Sequence, residues 1–187
     1  QGTYSVAIGS EAGRTTQGTS AIAIGETAGY TSQGASAVAI GPTAGLTSQG
    51  SSATAIGISA GRTTQGSSGV AVGPAAGQIS QGTLAIAIGA YAGNNTQGIS
   101  AVAVGASAGF TGQGINSVAI GGAAGYTNQG NNSIIINATG ANLNQTTANT
   151  FTVKPVRDGG SAAGMAALGF RPTYYNPTTG EFVYSSS

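Results

Sequence analysis

The chain has 187 residues, with five Lys and Arg against four Asp and Glu, 34 Gly, and no His, Cys or Trp. A net charge of +1 excludes the basic stripe that a nucleic-acid surface needs. Without His or Cys the commonest acid–base catalyst, the thiol nucleophile and any disulfide scaffold are also excluded, and no apolar run approaches the ~20 residues of a spanning helix.

So Gly-rich and charge-poor a chain resembles low-complexity disorder, except that its Val and Ile fall at fixed places. Gln-Gly recurs at Gln1, Gln17, Gln33, Gln49, Gln65, Gln81, Gln97, Gln113 and Gln129, a spacing of 16 without insertion or deletion. Counting each unit from its Gln as position 1, eight full units run to Asn128 and a degenerate ninth begins at Gln129. In all eight, positions 9 and 13 are Gly, positions 7 and 12 are Ala, and position 8 is Ile or Val. Position 6 is Ile or Val except at Thr54.

Each unit predicts a strand over positions 4 to 8, as in Ser36–Ile40. Turns are expected at the glycines of positions 2, 9 and 13, and a short second strand completes the coil. Asn137 stands at position 9 of the ninth unit, where it is expected to replace Gly in the left-handed region. A fixed period of this size is the signature of a solenoid. With strands about 4.8 Å apart, eight coils make a rod of roughly 40 Å. In such a coil every residue type forms a column, so the glutamines predict an amide ladder, each hydrogen-bonding to its neighbours above and below. One inserted residue would flip a strand and move Ile from core to solvent. The strand reads apolar on one face, as Val38 and Ile40, and Ala on the other, as Ala37 and Ala39. A thin coil buries one face by itself, so the other face predicts an oligomer of rods packed side by side. Enlarging Ala71 or Ala87 is expected to damage assembly.

The units "SVAIGSEAGRTTQG", "SAIAIGETAGYTSQG" and "NSVAIGGAAGYTNQG" resemble the YadA-type head repeats of trimeric autotransporter adhesins. The resemblance implies an all-β, left-handed parallel β-roll or β-solenoid, associated as a homotrimer. The period is longer than the family usually has. The added "T-x-Q-G" loop is more similar to the variant in fibre proteins of phages and large DNA viruses. The tail, "TFTVKPVRDGG…GFRPTYYNPTTGEFVYSSS", resembles the segment before a self-cleaving intramolecular chaperone in such fibres. What this implies is a viral or phage host-attachment fibre at the virion surface, whose gene product continues past Ser187 and loses the extension after folding. The alternatives are the head of a bacterial surface adhesin and, from another class, an ice-binding solenoid. The chain begins without Met and without a signal peptide, which is expected of a fragment or a mature product.

Candidate chemistry is sparse, and neither an enzyme nor a cofactor is expected. The carboxylates are Glu11, Glu26, Asp158 and Glu181, and the repeats hold no Asp for a calcium-binding roll. Position 14 varies where its neighbours do not: Arg14, Tyr30, Leu46, Arg62, Gln78, Asn94, Phe110 and Tyr126. Aromatics and Arg anchor binding surfaces, so Arg14, Tyr30, Arg62, Phe110 and Tyr126 are the candidate ligand residues, facing a host receptor, and their uncharged surroundings suit a neutral glycan. Position 15 is mostly Thr, with Ile79 and Asn95 as breaks, which carries the ice-binding alternative. Glycosylation sequons start at Asn94, Asn131, Asn137 and Asn144.

The roll is expected to end at 145, with 146–187 forming a linker and a small β-rich C-terminal cap. There "FTVKPVR" predicts a strand up to Pro155 and "SAAGMAALGF" a short helix or apolar plug. "TYYNPTTGEFVY" predicts a hairpin turning over Asn176–Gly180. No membrane insertion is expected.

Overall fold

The structure, a computed structural model, describes residues 1–156 and 173–184; the expected helix or plug and Asp158 lie outside the described residues. The chain divides into two compact units, Gln1–Pro155 and Val156–Ser187.

The first unit is a β-solenoid of about nine turns with 16-residue coils. Positions 6 to 8 of every coil lie in a ten-stranded parallel sheet, from Val6–Ile8 to Val118–Ile120, then Ile134–Asn137 and Phe151–Lys154. Positions 15, 16 and the next Gln form a seven-stranded parallel sheet, from Thr15–Gln17 to Thr111–Gln113. The register is one repeat throughout, with Val6 beside Ile22 and Thr15 beside Thr31. Turn residues join this ladder too: Gly13 N donates to Ala28 O at 2.9 Å, and Gly25 N to Ile8 O at 2.8 Å. The backbone is therefore satisfied by the coils above and below.

The strand is shorter than expected because position 4 is left-handed, as at Ser36 (φ 57°) and Ser52 (φ 58°). Positions 11 and 16 are left-handed as well, at Thr43 (φ 56°) and Ser48 (φ 56°) among others. Each such residue costs about 1–2 kcal/mol. They tighten the coil into corners, and the inter-coil hydrogen bonds hold them there. The expected glycine turns hold positive φ at positions 9 and 13 but not at position 2. Position 2 needs Gly for space: a Cβ on Gly34 would lie 2.4 Å from Ser51 N in the next coil.

The interior reverses one sequence expectation. Ala23, Ala39, Ala55, Ala71 and Ala87 are fully buried, and the Val and Ile on either side of them point outward. Ala87 is 0% exposed and Ile88 41%. An inserted residue would thus carry Ile inward, not outward, and Ala71 and Ala87 belong to the core of the coil instead of an assembly face. The cause is width. Position 7 alanines face the fully buried alanines of position 12 and the glutamines of position 1. A methyl placed on Gly45 would lie 3.2 Å from the Ala39 methyl, so nothing larger than Ala fits between the walls.

The expected amide ladder is present. Gln33, Gln49, Gln65, Gln81 and Gln97 each donate through Nε2 to the Oε1 of the next Gln at 3.0–3.1 Å, ending on Gln113. Each Nε2 also meets a position 6 carbonyl, as Gln49 meets Val38 O at 2.8 Å. These bonds offset the cost of burying the amides.

The ninth coil is built differently. Ile135 replaces the inward Ala and is fully buried, and Leu143 (8% exposed) packs in the same core. Asn137 does not take the left-handed role expected of it. It ends the strand Ile134–Asn137 and turns its side chain inward, where Nδ2 donates to Gly122 O and Ala141 O, both at 2.7 Å. The strand Phe151–Lys154, expected in the tail, pairs with Ile134–Asn137 and extends the sheet past residue 145.

In the second unit, Thr173–Tyr175 pairs antiparallel with Phe182–Tyr184, the expected hairpin. Asn176 Oδ1 accepts from Thr178 N at 2.9 Å, and Gly180 supplies the left-handed turn residue (φ 75°). The Tyr175 and Phe182 rings lie 5.1 Å apart across the pair.

Candidate functional site

Three outward surfaces run the length of the rod, each a set of columns. The first is the position 14 corner. Its five predicted residues do not form one site. In the first two coils, Arg14 Nη1 hydrogen-bonds the Tyr30 hydroxyl, and its guanidinium carbon stands 5.4 Å from the Tyr30 ring centroid. Arg14 also pairs with Glu11 at 3.2 Å, an exposed bridge worth little in itself. Arg62 is exposed two coils further on, with no hydrogen-bond or ion-pair partner among the described residues. Between the two ends, Asn94 is buried and clasps Ala75 O (2.9 Å) and Gln78 Oε1 (3.2 Å).

Phe110 and Tyr126 stack with centroids 4.9 Å apart and planes 7° from parallel. Tyr91 meets Phe110 edge-on at 6.4 Å and 61°. Sequence reasoning missed Tyr91 because it stands at position 11, outside the varying column. The left-handed residue at position 11 folds the turn so that positions 11 and 14 share a corner. The Glu11–Arg14 pair carries the same three-residue spacing and is the signal that would have found it. The result is an aromatic platform across three coils, with Tyr91 51% exposed, flanked by the Thr111 and Thr127 side chains and by no charged residue at positions 11 to 16 of those coils.

The second surface is the outer face of the ten-stranded sheet, where positions 6 and 8 form two apolar columns. The third is the outer face of the seven-stranded sheet. Position 16 points outward beside position 15, which the sequence pattern did not reveal. Thr15, Thr16, Thr31, Ser32, Thr47, Ser48, Thr63 and Thr64 thus make a double hydroxyl column over the first four coils.

Among the described residues, no group of three or more His, Cys, Asp or Glu could hold a metal ion. No described helix is long and apolar enough to cross a membrane. Of the four sequon asparagines, Asn94 and Asn137 are buried with their amides committed to carbonyls, and Asn131 and Asn144 are exposed. No protein family, curated protein or solved structure matches the chain.

Proposed function

We propose that the chain is the shaft of an adhesive fibre: a left-handed β-roll that associates as a homotrimer through its Val/Ile face. The observation that supports this most is that face itself, two columns of β-branched side chains left outward along the whole rod. Burying a Val or Ile contributes about 1.5–3 kcal/mol, so leaving two uncovered in every coil is costly. A partner that covers all of them must repeat with the same rise, and a second copy of this chain does. With the sequence resemblance, this favours a viral host-attachment fibre at the virion surface over a bacterial adhesin head. The resemblance adds a trimerising segment downstream, removed after folding.

The adhesive role falls to the aromatic platform. Tyr91, Phe110 and Tyr126 present ring faces and edges with hydroxyl neighbours and no adjacent charge, which suits a neutral glycan on a host surface. The test is a glycan array probed with the intact protein and with Tyr126→Ala and Tyr30→Ala. Tyr126→Ala is expected to lose at least tenfold in binding, and Tyr30→Ala, in the separate Arg14 cluster, to lose less. Equal binding by all three proteins contradicts the site.

A second reading is favoured by one observation. The double hydroxyl column on the seven-stranded sheet is a regular, uncharged array of the kind that could order a water lattice, so an ice-recrystallisation assay is its direct test. Ile79, Asn95, Gly112 and Asn128 interrupt the array beyond the fourth coil, which is why adhesion is preferred.

A further inference from the structure

The apolar face carries almost no information about register. Positions 6 and 8 supply twenty outward residues over the ten strands, counting Phe151 and Val153, which align with Ile134 and Ile136. Nineteen are Val, Ile or Phe. If one rod slides past another by one coil, nearly every Val or Ile meets another Val or Ile. The apolar contact then changes only by the coil lost at each end. No charged side chain stands in either column, so electrostatics does not choose the register.

The exception is Thr54, the position 6 residue of the fourth coil. Thr is close to Val in shape and shares its β-branch, so strand propensity and packing volume do not require the hydroxyl. The chain does not use it either. Thr54 N donates to Gly69 O at 2.8 Å, and Thr54 O accepts from Gln65 Nε2 at 2.9 Å. Its Oγ1 has no hydrogen-bond partner among the described residues, and the side chain is half-buried.

We infer that Thr54 sets the register of self-association, its hydroxyl pairing with the Thr54 hydroxyl of neighbouring copies. This rests on the reading that the Val/Ile face is covered by other copies of the chain. In register, the Thr54 side chains come to the same height, and each hydroxyl both donates and accepts. Slipped by one coil, Thr54 faces the level of Val38 or Val70, and a hydroxyl stripped of water is left unpaired. A single polar residue fixes register in apolar coiled-coil seams by the same logic.

The chain has no cysteine, so two introduced cysteines report register cleanly. Ile88 and Ile120 lie in one outward column two coils apart, about 9.6 Å at the usual strand spacing. That is beyond disulfide reach when the chains are in step, and one slip halves it into range. Ile88→Cys and Ile120→Cys chains are co-expressed, oxidised, and the mixed cross-link is measured by mass spectrometry. With Thr54 present, same-site cross-links are expected and the mixed species stays near background. In a Thr54→Val background the mixed species should rise at least fivefold, with sedimentation mass unchanged, and Thr54→Ser should bring it back down. A mixed fraction that does not change in Thr54→Val, or one already high with Thr54, overturns the register role while leaving self-association standing. Chains that sediment as monomers with no same-site cross-link overturn the self-association reading, and the register role with it.

Discussion

The two faces of the ten-stranded sheet reverse the usual order of hydrophobic residues. The inner face carries Ala, fully buried, and the outer face carries Val and Ile, half-exposed. Hydrophobicity alone assigns them the other way. Space decides instead: the walls of the coil stand so close that only methyl groups and the flat Gln amides fit between them. The ninth coil shows the converse. There Leu143 stacks on Ala124 where the other coils place the position 12 Ala, Ile135 enters the core beside it, and the amide ladder has already stopped at Gln113. In the regular coils the narrow interior takes only Ala, and most of the apolar surface is left for a partner.

The contrast breaks most sharply at neighbouring residues of one strand. Ala87→Leu forces three extra carbons into a filled interior, and overpacking costs about 1–3 kcal/mol even where a core can adjust. Here the walls are tied by hydrogen bonds above and below, so a loss at or above 3 kcal/mol is expected, read as a lowered denaturant midpoint. Ile88→Leu, one residue along on the outer face, should leave chain stability within ~0.5 kcal/mol. If the two substitutions cost the same, the inside–outside assignment fails.

Gln65→Leu sharpens the same comparison from the opposite wall. It removes the donor to Thr54 O and Gly69 O, and leaves Gln49 Nε2 without its acceptor and Gln81 Oε1 without its donor in the ladder. A buried polar group left unpaired costs about 1–3 kcal/mol, so the expected loss is about 2 kcal/mol, smaller than that of Ala87→Leu. Hydrogen exchange should localise it to the amides of the fourth to sixth coils.

Much of the fold was legible because a solenoid writes its geometry into its period. The spacing of 16 gave the coil, the invariant Gln gave the ladder, and the Asn176–Gly180 turn residues gave the hairpin. The strand start at position 6 was not legible. Its cause is a left-handed residue that is Ser in five of the first eight coils, a type with no obligatory φ signature. The direction of the Ile/Val face was hidden for a similar reason: alternation shows that two faces differ, and only the width between walls shows which is inside. Asn137 was read by its likeness to Gly, whereas its buried amide decides its place. At the candidate site, variability marked Arg14, Tyr30, Arg62, Phe110 and Tyr126 as outward. It did not show that Arg14 and Tyr30 pair with each other, that Arg62 stands alone, or that Tyr91 joins Phe110.

The central claim is that the outward Val and Ile columns are covered by copies of the same chain. Sedimentation equilibrium of the purified protein at micromolar concentration tests it directly. The account predicts a single species at three times the 17.8 kDa chain mass, persisting on dilution. A folded species at one chain mass, stable with its apolar columns in water, would contradict it.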